Sequence, residues 1–109
     1  MDDVPDRGRY EARLAGALAG FLEYRMVGTR RILLHTEVDD AFAGRGVGTA
    51  LARYSLEAAR MTGTRVTVRC PFIRAWLARH PEYEASVTTE PGRQRRNVRA
   101  TAERPPNDR

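Results

Sequence analysis

Three side chains of this sequence are of types that can move protons or carry acyl groups. His35 and Glu37 stand two residues apart in the run RILLHTEV, and Cys70 is the only cysteine of the chain. An imidazole beside a carboxylate can serve as a general base. Cys70 is predicted to end a strand just before a helix, whose positive end stabilises a reactive thiolate. The alternatives are an ordinary polar strand face for His35 and Glu37, and a small buried hydrophobe for Cys70.

A glycine-rich turn between these two regions has the composition of an anion site. Gly44, Gly46 and Gly48 fall within five positions, and the pattern of an amphipathic helix begins at the second of them. The first N–H groups of a helix have no partner inside the helix, and the helix dipole adds positive potential there. Glycines let the backbone approach a phosphate closely, and Arg45 adds a fixed charge. The turn is therefore predicted to hold a phosphate or a pyrophosphate.

Two common phosphate motifs fit this turn poorly. A nucleotide P-loop ends in Gly-Lys-Ser/Thr, and the chain contains no Lys. A dinucleotide fingerprint needs Gly-x-Gly-x-x-Gly inside a parallel unit, whereas this turn supplies only Gly-x-Gly after strands that alternate as a meander. A tight turn that is rich in glycine and binds nothing stays open as a further interpretation.

The periodicity of the apolar residues predicts the elements that must position these groups. Period-two alternation indicates an antiparallel meander of three strands, followed by a helix. The strand after that helix should run parallel to the strand before it, and Pro71 suits the first turn of a second helix. The strands are predicted at 9–14, 17–26, 31–38 and 65–70, with a short last one at 82–87, and the helices at 46–62 and 71–80.

Strict alternation along residues 31–38 predicts which side chains share a face of the sheet. One face should carry Arg31, Leu33, His35 and Glu37, and the other Ile32, Leu34, Thr36 and Val38. His35 and Glu37 would then be neighbours, with Glu37 orienting the imidazole.

Composition bounds the remaining possibilities. A chain of 109 residues with 41% hydrophobic residues supports one domain, which we place at 9–87 after a flexible leader at 1–8. Residues 88–109 lack apolar periodicity and are rich in Arg, so this tail is predicted to be disordered. No apolar run is long enough to cross a bilayer, and a single cysteine forms no internal disulfide. These features favour a cytoplasmic protein that is not held in a membrane.

Several motifs resemble one family of enzymes. The segment RGVGTA, residues 45–50, resembles the acyl-CoA loop of the GNAT superfamily of acetyltransferases, with Arg45, Gly48 and Ala50 at its fixed places. HTEV at 35–38 and CPFIRAWLARHPEY at 70–83 resemble a small single-domain branch of that superfamily. The order of these motifs is more specific than the loop alone, and the resemblance covers residues 8–87.

The resemblance implies a fold, a cofactor and a set of binding residues. The fold is a mixed α/β sheet of the GNAT type, in which an antiparallel meander precedes strand, helix, strand and helix. The donor is acetyl-CoA, used without a metal, and the acceptor is an amine of unknown identity. The loop amides would hold the CoA pyrophosphate, and the pantetheine arm would follow strand 31–38. The implied cofactor-binding residues are Val38, Arg45, Gly46, Val47, Gly48, Thr49 and Ala50.

The chain departs from larger members of that superfamily in two ways. It has room only for a turn between its first two strands, where they place helices, so the acceptor side should be open. Its second helix lacks the Tyr that protonates the departing CoA thiolate in many relatives. Cys70 could fill that role, contact the CoA sulfur or accept the acetyl group, and it should face the same cleft as His35.

Three functions remain in view at this stage. The first is an acetyltransferase, acting as a monomer or a weak dimer. The second is a CoA-binding or interaction module with little catalysis, favoured by the missing helices and the missing Tyr. The third and weakest is nucleic-acid binding through the Arg-rich tail, because the rest of the chain is nearly balanced in charge and lacks interleaved aromatic residues.

Overall fold

A computed structural model describes residues 1–88 as one five-stranded sheet with two helices. The strands lie in the order β1-β2-β3-β4-β5, with antiparallel pairing from β1 to β4 and parallel pairing of β4 with β5. The predicted mixed α/β fold is confirmed. The strands are β1 (Asp2–Val4), β2 (Arg9–Leu14), β3 (Ala17–Val27), β4 (Arg30–Val38) and β5 (Val66–Val68), and the helices are α1 (Val47–Thr62) and α2 (Pro71–Ala78).

Helix α1 packs on one face of the sheet and forms the centre of the core. Its buried positions recur every three or four residues, which is the spacing of one helix face. Gly63 ends the helix in a left-handed conformation (φ 71°), as the Thr62-Gly63 pair predicts. The buried residues of α1 are Val47, Leu51, Ala52, Ser55, Leu56 and Ala59.

A bulge in β4 changes which side chains share a face. Tyr24 of β3 pairs with Leu33, but its neighbour Glu23 pairs with His35, so Leu34 is an extra residue in β4. Paired residues lie on the same face of a sheet, and adjacent residues lie on opposite faces. Leu33 therefore faces the core, while His35 faces the other side. The expectation that these two residues share a face was wrong, because alternation carries no signal for an inserted residue.

Gly20 admits the close approach of β4 and α1 to β3. A Cβ atom at this position would lie 2.7 Å from the Glu37 carbonyl oxygen and 2.9 Å from Val47 Cγ1. Any side chain would therefore push the start of α1 and the end of β4 away from β3. Glycine is an unfavourable residue inside a strand, but at this position it allows β3, β4 and the start of α1 to pack closely beside the glycine-rich turn.

The structure differs from the sequence expectations at both ends of the described chain. Residues 2–4 form β1, which pairs with β2, where a flexible leader was expected. The Tyr24 hydroxyl donates a 2.5 Å hydrogen bond to Asp3. The pKa of Tyr24 is raised to about 12, mainly by burial and secondly by this bond. Residues Pro81–Ser86 form a 3-10 helix instead of a strand, and only Val87 makes an isolated bridge, to Val66.

The Arg-rich tail lies almost entirely outside the described residues. Only Thr88 of the predicted 88–109 segment is described, and its amide donates a 2.7 Å hydrogen bond to the Val66 carbonyl. Within residues 1–88, neither helix has both the length and the apolar character that a membrane crossing requires.

Candidate functional site

The two central strands separate at the point where Cys70 lies. Pairing of β4 with β5 ends at Leu33 and Val68, and the amides of Arg69 and Cys70 then both donate to the Leu33 carbonyl. The chain turns at Cys70 into α2, whereas β4 continues to Val38. Cys70 Sγ lies 3.3 Å from Thr36 Oγ1 across this opening. The opening is a cleft bounded by the end of β4 on one side and the start of α2 on the other.

Cys70 is buried in the wall of this cleft. The residue is 2% exposed, belongs to the core cluster and directly precedes α2. Its backbone carbonyl accepts a hydrogen bond from the Arg74 amide at 2.9 Å, so Cys70 is the N-cap residue of α2. Cys70 thus lies beside the opening between β4 and α2 and has the packing contacts of a core residue.

The glycine-rich turn presents free backbone amides at the start of α1. Gly46 adopts a left-handed conformation (φ 77°) before α1, and no side chain caps the helix. Ala50 donates the first helical hydrogen bond, to the Gly46 carbonyl at 3.0 Å, and the Arg45 amide donates to Phe42 at 3.2 Å. Within the described chain, the amides from Gly46 to Thr49 have no backbone acceptor. The expected set of free amides, from Arg45 to Ala50, is therefore narrower by one residue at each end.

These amides border a groove with a volume of about 300 Å³. One wall consists of the turn and the first residues of α1, and the other walls carry apolar side chains. The groove therefore combines an end that can bind an anion with an apolar interior. It is lined by Val38, Phe42, Ala43, Gly44, Gly46, Val47, Gly48, Thr49 and Phe72.

Arg45 and Ala50 face a different hollow on the other side of the turn. This smaller cavity has a volume of about 120 Å³ and is also bordered by Met1, Ala12 and Leu14. The Arg45 side chain is exposed there. Two of the seven predicted cofactor-binding residues are thus absent from the lining of the main groove.

His35 and Glu37 lie on the face of the sheet opposite to Cys70. Thr36 contacts Cys70, so its two neighbours in β4 point to the other side. Their side chains are 55% and 63% exposed, and His35 Nε2 lies 3.8 Å from Glu37 Oε1, which is beyond hydrogen-bond distance. The expectation that His35 and Cys70 face the same cleft was wrong, and the strand alternation explains the separation.

A second cavity, on the side of Glu37, shares one wall with the groove. Its volume is about 370 Å³, and its lining includes three acidic residues, Glu37, Asp39 and Asp40. Asp39 also accepts a 2.8 Å hydrogen bond from the Ala41 amide, which fixes the turn after β4. Val38 lines both cavities. The end of β4, at Val38, therefore separates an apolar groove from an acidic cleft.

The sequence did not single out three residues that the structure places at the site. Thr36 contacts Cys70, and Phe42 and Phe72 line the groove. The signal for Thr36 was present, because alternation places it opposite His35. Phe72 lies in the first turn after Cys70, which put it close to the cleft, but its side chain was indistinguishable from a core aromatic residue.

Trp76, His80 and Tyr83 pack α2 and the 3-10 helix that follows it against one another and against α1. Trp76 is buried, and His80 stacks on it at 3.8 Å and donates through Nδ1 to the Trp76 carbonyl at 2.9 Å. His80 thus caps the end of α2, as its sequence position predicts. Tyr83 donates to Glu57 of α1 at 2.7 Å, and this bond, with a second from Arg60, lowers the pKa of Glu57.

Among residues 1–88, no cluster of three side chains could hold a metal ion.

Comparison with known proteins identifies relatives of most of the described chain. Residues 9–87 match the family model of the GCN5-related N-acetyl-transferase. The bovine (Bos taurus) Protein NATD1 is 35% identical over 77 residues, which cover 69% of this chain and 68% of that protein. The solution structure of a GCN5-like protein from Staphylococcus aureus superposes with a TM-score of 0.58 at 21% identity, covering 80% of this chain and 87% of the other. This last likeness concerns the fold.

Proposed function

Because the chain belongs to the GCN5-related N-acetyltransferase family, we propose that it transfers an acetyl group from acetyl-CoA to an amine. The observation that carries this proposal is the set of amides from Gly46 to Thr49, which lack backbone acceptors in the described chain and border the groove. Four N–H groups at a helix N-terminus suit the two phosphates of the CoA pyrophosphate. A reduced cytoplasmic compartment would keep the single thiol free.

The donor would lie along the end of β4. From the pyrophosphate at the loop, the pantetheine arm would run through the apolar groove past Val38 to the cleft at Thr36 and Cys70. The backbone of β4 beyond Leu33 has no strand partner on this side within the described residues, so its polar groups can bond to an extended arm. The thioester would then lie beyond Val38, beside Thr36 and Cys70.

The acceptor amine would approach from the opposite face, through the acidic cleft. The amine nitrogen attacks the acetyl carbonyl carbon, its proton passes to a base, and the carbon–sulfur bond breaks to release the CoA thiolate. Glu37 lines this cleft, and His35 stands beside it, so we assign the base to this pair. Cys70, on the donor side, is our candidate for protonating the thiolate or for holding the sulfur in place.

A change of charge at Thr49 tests the donor site without disturbing the core. Thr49 is exposed in the first turn of α1, and a carboxylate there is favourable for the helix itself. We expect Thr49→Glu to keep the melting temperature but to raise the Kd for acetyl-CoA about ten-fold or more, since like charges about 4 Å apart repel by roughly 1 to 4 kcal/mol. Isothermal titration calorimetry measures the Kd.

Thr49→Gln is the matched control, because it adds the same bulk without the charge. Acetyl-CoA should bind this variant within about a factor of three of the parent. If the Glu and Gln variants bind equally well, the pyrophosphate does not lie at these amides. If acetyl-CoA binds but no amine in a broad panel is acetylated, the protein is a CoA-binding module instead of an enzyme.

A further inference from the structure

A side chain is excluded at Gly48 for a different reason from the one that applies at Gly44 and Gly46. Gly44 and Gly46 have positive φ angles of 78° and 77°, and a Cβ atom at either would meet nothing within 4 Å. Gly48 lies in regular helix, yet a Cβ atom there would come within 2.9 Å of Phe72 Cζ and 3.1 Å of Cε2. The first two glycines are thus required by the backbone, whereas Gly48 makes room for an aromatic ring.

Phe72 stands where it can contact a ligand along the length of the groove. It lies in the first turn of α2, two residues after Cys70, and its ring reaches the first turn of α1 at Gly48. Phe72 keeps 43% of its surface exposed and lines the groove together with Val38 and Phe42. A ligand that covers a large exposed apolar side chain gains binding free energy from the apolar surface that it removes from water.

We propose that Phe72 selects the donor by packing against the pantetheine arm, and that Gly48 is the spacer that lets its ring do so. This inference rests on the proposed function, because the arm must cross from the amides of α1 to the cleft at Cys70, and Phe72 borders both. The arm carries methylene and gem-dimethyl groups, which match an apolar wall. A nucleotide that lacks the arm would fill the phosphate end and leave the ring uncovered.

Comparing two ligands separates the role of Phe72 from that of the loop. CoA and 3′-phosphoadenosine 5′-diphosphate share the nucleotide, and only CoA has the arm. Phe72→Ala should weaken CoA binding about ten-fold, from the loss of apolar contact, and leave the affinity for the nucleotide unchanged. Phe72→Leu should fall between parent and Ala. The control is Met61→Ala, which removes an exposed apolar side chain at the far end of α1 and should change neither affinity.

The outcomes distinguish this inference from the proposed function. If the parent binds neither ligand, the proposed function fails, and this inference with it. If Phe72→Ala weakens both ligands equally, the ring only supports the loop, and the selection by the arm is wrong while the function stands. If CoA binds the Ala variant as tightly as the parent, Phe72 does not touch the arm.

A double variant tests the spacer role without any ligand. In the parent background, Gly48→Ala should lower the melting temperature and weaken CoA binding, because the ring is displaced. In the Phe72→Ala background, the same change should raise the melting temperature, since Ala is the better helix former. Circular dichroism measures both temperatures. The same sign in both backgrounds would show that Gly48 does not make room for Phe72.

Discussion

The contact between Cys70 and Thr36 places a thiol at the end of the proposed donor path. The 3.3 Å separation of Sγ and Oγ1 joins the start of α2 to β4 across the cleft. His35, by contrast, faces the other side of the sheet. A base on the acceptor face and a thiol on the donor face would allow proton removal and proton donation from opposite sides of the same acetyl group.

Replacing the thiol should affect turnover more than binding. We expect Cys70→Ala to leave the Kd for acetyl-CoA within about two-fold of the parent and to reduce kcat about 100-fold, the scale of a lost general acid. Steady-state kinetics and calorimetry measure the two effects. Thr36→Val, which keeps the shape but removes the hydroxyl, should have a smaller effect on kcat. Unchanged kcat in the Ala variant would leave Cys70 as a core residue.

The bond between Tyr83 and Glu57 predicts a pH dependence of stability. This bond, more than that from Arg60, lowers the pKa of Glu57 below its ordinary value of 4.5. The unfolded chain then binds the proton more tightly, so the stabilisation is complete above the ordinary pKa and is lost as the pH falls through the folded value. Glu57→Gln should therefore be less stable than the parent at pH 6 and lose less stability between pH 6 and pH 3.

Tyr83→Phe checks that the effect comes from this bond. It removes the donor and keeps the carboxylate, so its loss of melting temperature on acidification should also be smaller than that of the parent. Thermal melts across the pH range measure this. A parent-like slope in both variants would contradict the assignment.

At the scale of elements, the glycine-rich turn was predictable in place and type but not in detail. Helical spacing after Gly46 predicted α1, and unpaired amides follow from any helix start. The sequence could not show that the Arg45 amide donates to the Phe42 carbonyl, since this depends on the 3-10 turn at Asp40–Phe42, whereas the bond from Ala50 to Gly46 follows from the helix start itself. The bulge at Leu34 was equally hidden, because apolar residues at 32–34 fit either register.

The left-handed residue before α1 should be sensitive to substitution. Gly46→Ala places a Cβ in a conformation that costs about 1 to 2 kcal/mol, although the space around it is open. We expect a lower melting temperature and weaker acetyl-CoA binding, because the turn relaxes and the amides lose their alignment. Gly16→Ala is the control, since it has the same strain (φ 83°) in the turn between β2 and β3. It should lower stability but not affinity.

At the scale of the whole molecule, contacts of residues 85–88 with Arg65 and Val66 define the C-terminal boundary of the domain. The Arg65 side chain donates to Thr88 Oγ1 at 2.9 Å and to the Ala85 carbonyl at 2.6 Å. With the bond from the Thr88 amide to Val66, these contacts fix the end of the described chain to β5. The sequence predicted the family fold from motif order, but it did not predict β1, which has too few residues for a periodic pattern. Of the strand predicted at 82–87, only the bridge of Val87 to Val66 is present.

Two truncations locate this boundary. A chain ending at Thr88 should keep the parent's melting temperature and acetyl-CoA affinity, since it retains every contact described above. A chain ending at Ser86 loses the bonds of residues 87 and 88, and should melt at a lower temperature by several degrees, about the effect of 1 kcal/mol in a domain of this size. A large loss of stability on truncation at Thr88 would show that the Arg-rich tail packs on the domain.

The most direct test of the proposed function is a crystal structure of the protein with acetyl-CoA. We predict pyrophosphate oxygens within about 3.2 Å of the amides from Gly46 to Thr49, the pantetheine arm between Val38 and Phe72, and the thioester beside Thr36 and Cys70. Acetyl-CoA bound away from this groove, or with its thioester on the far side of the loop from Cys70, would contradict the account.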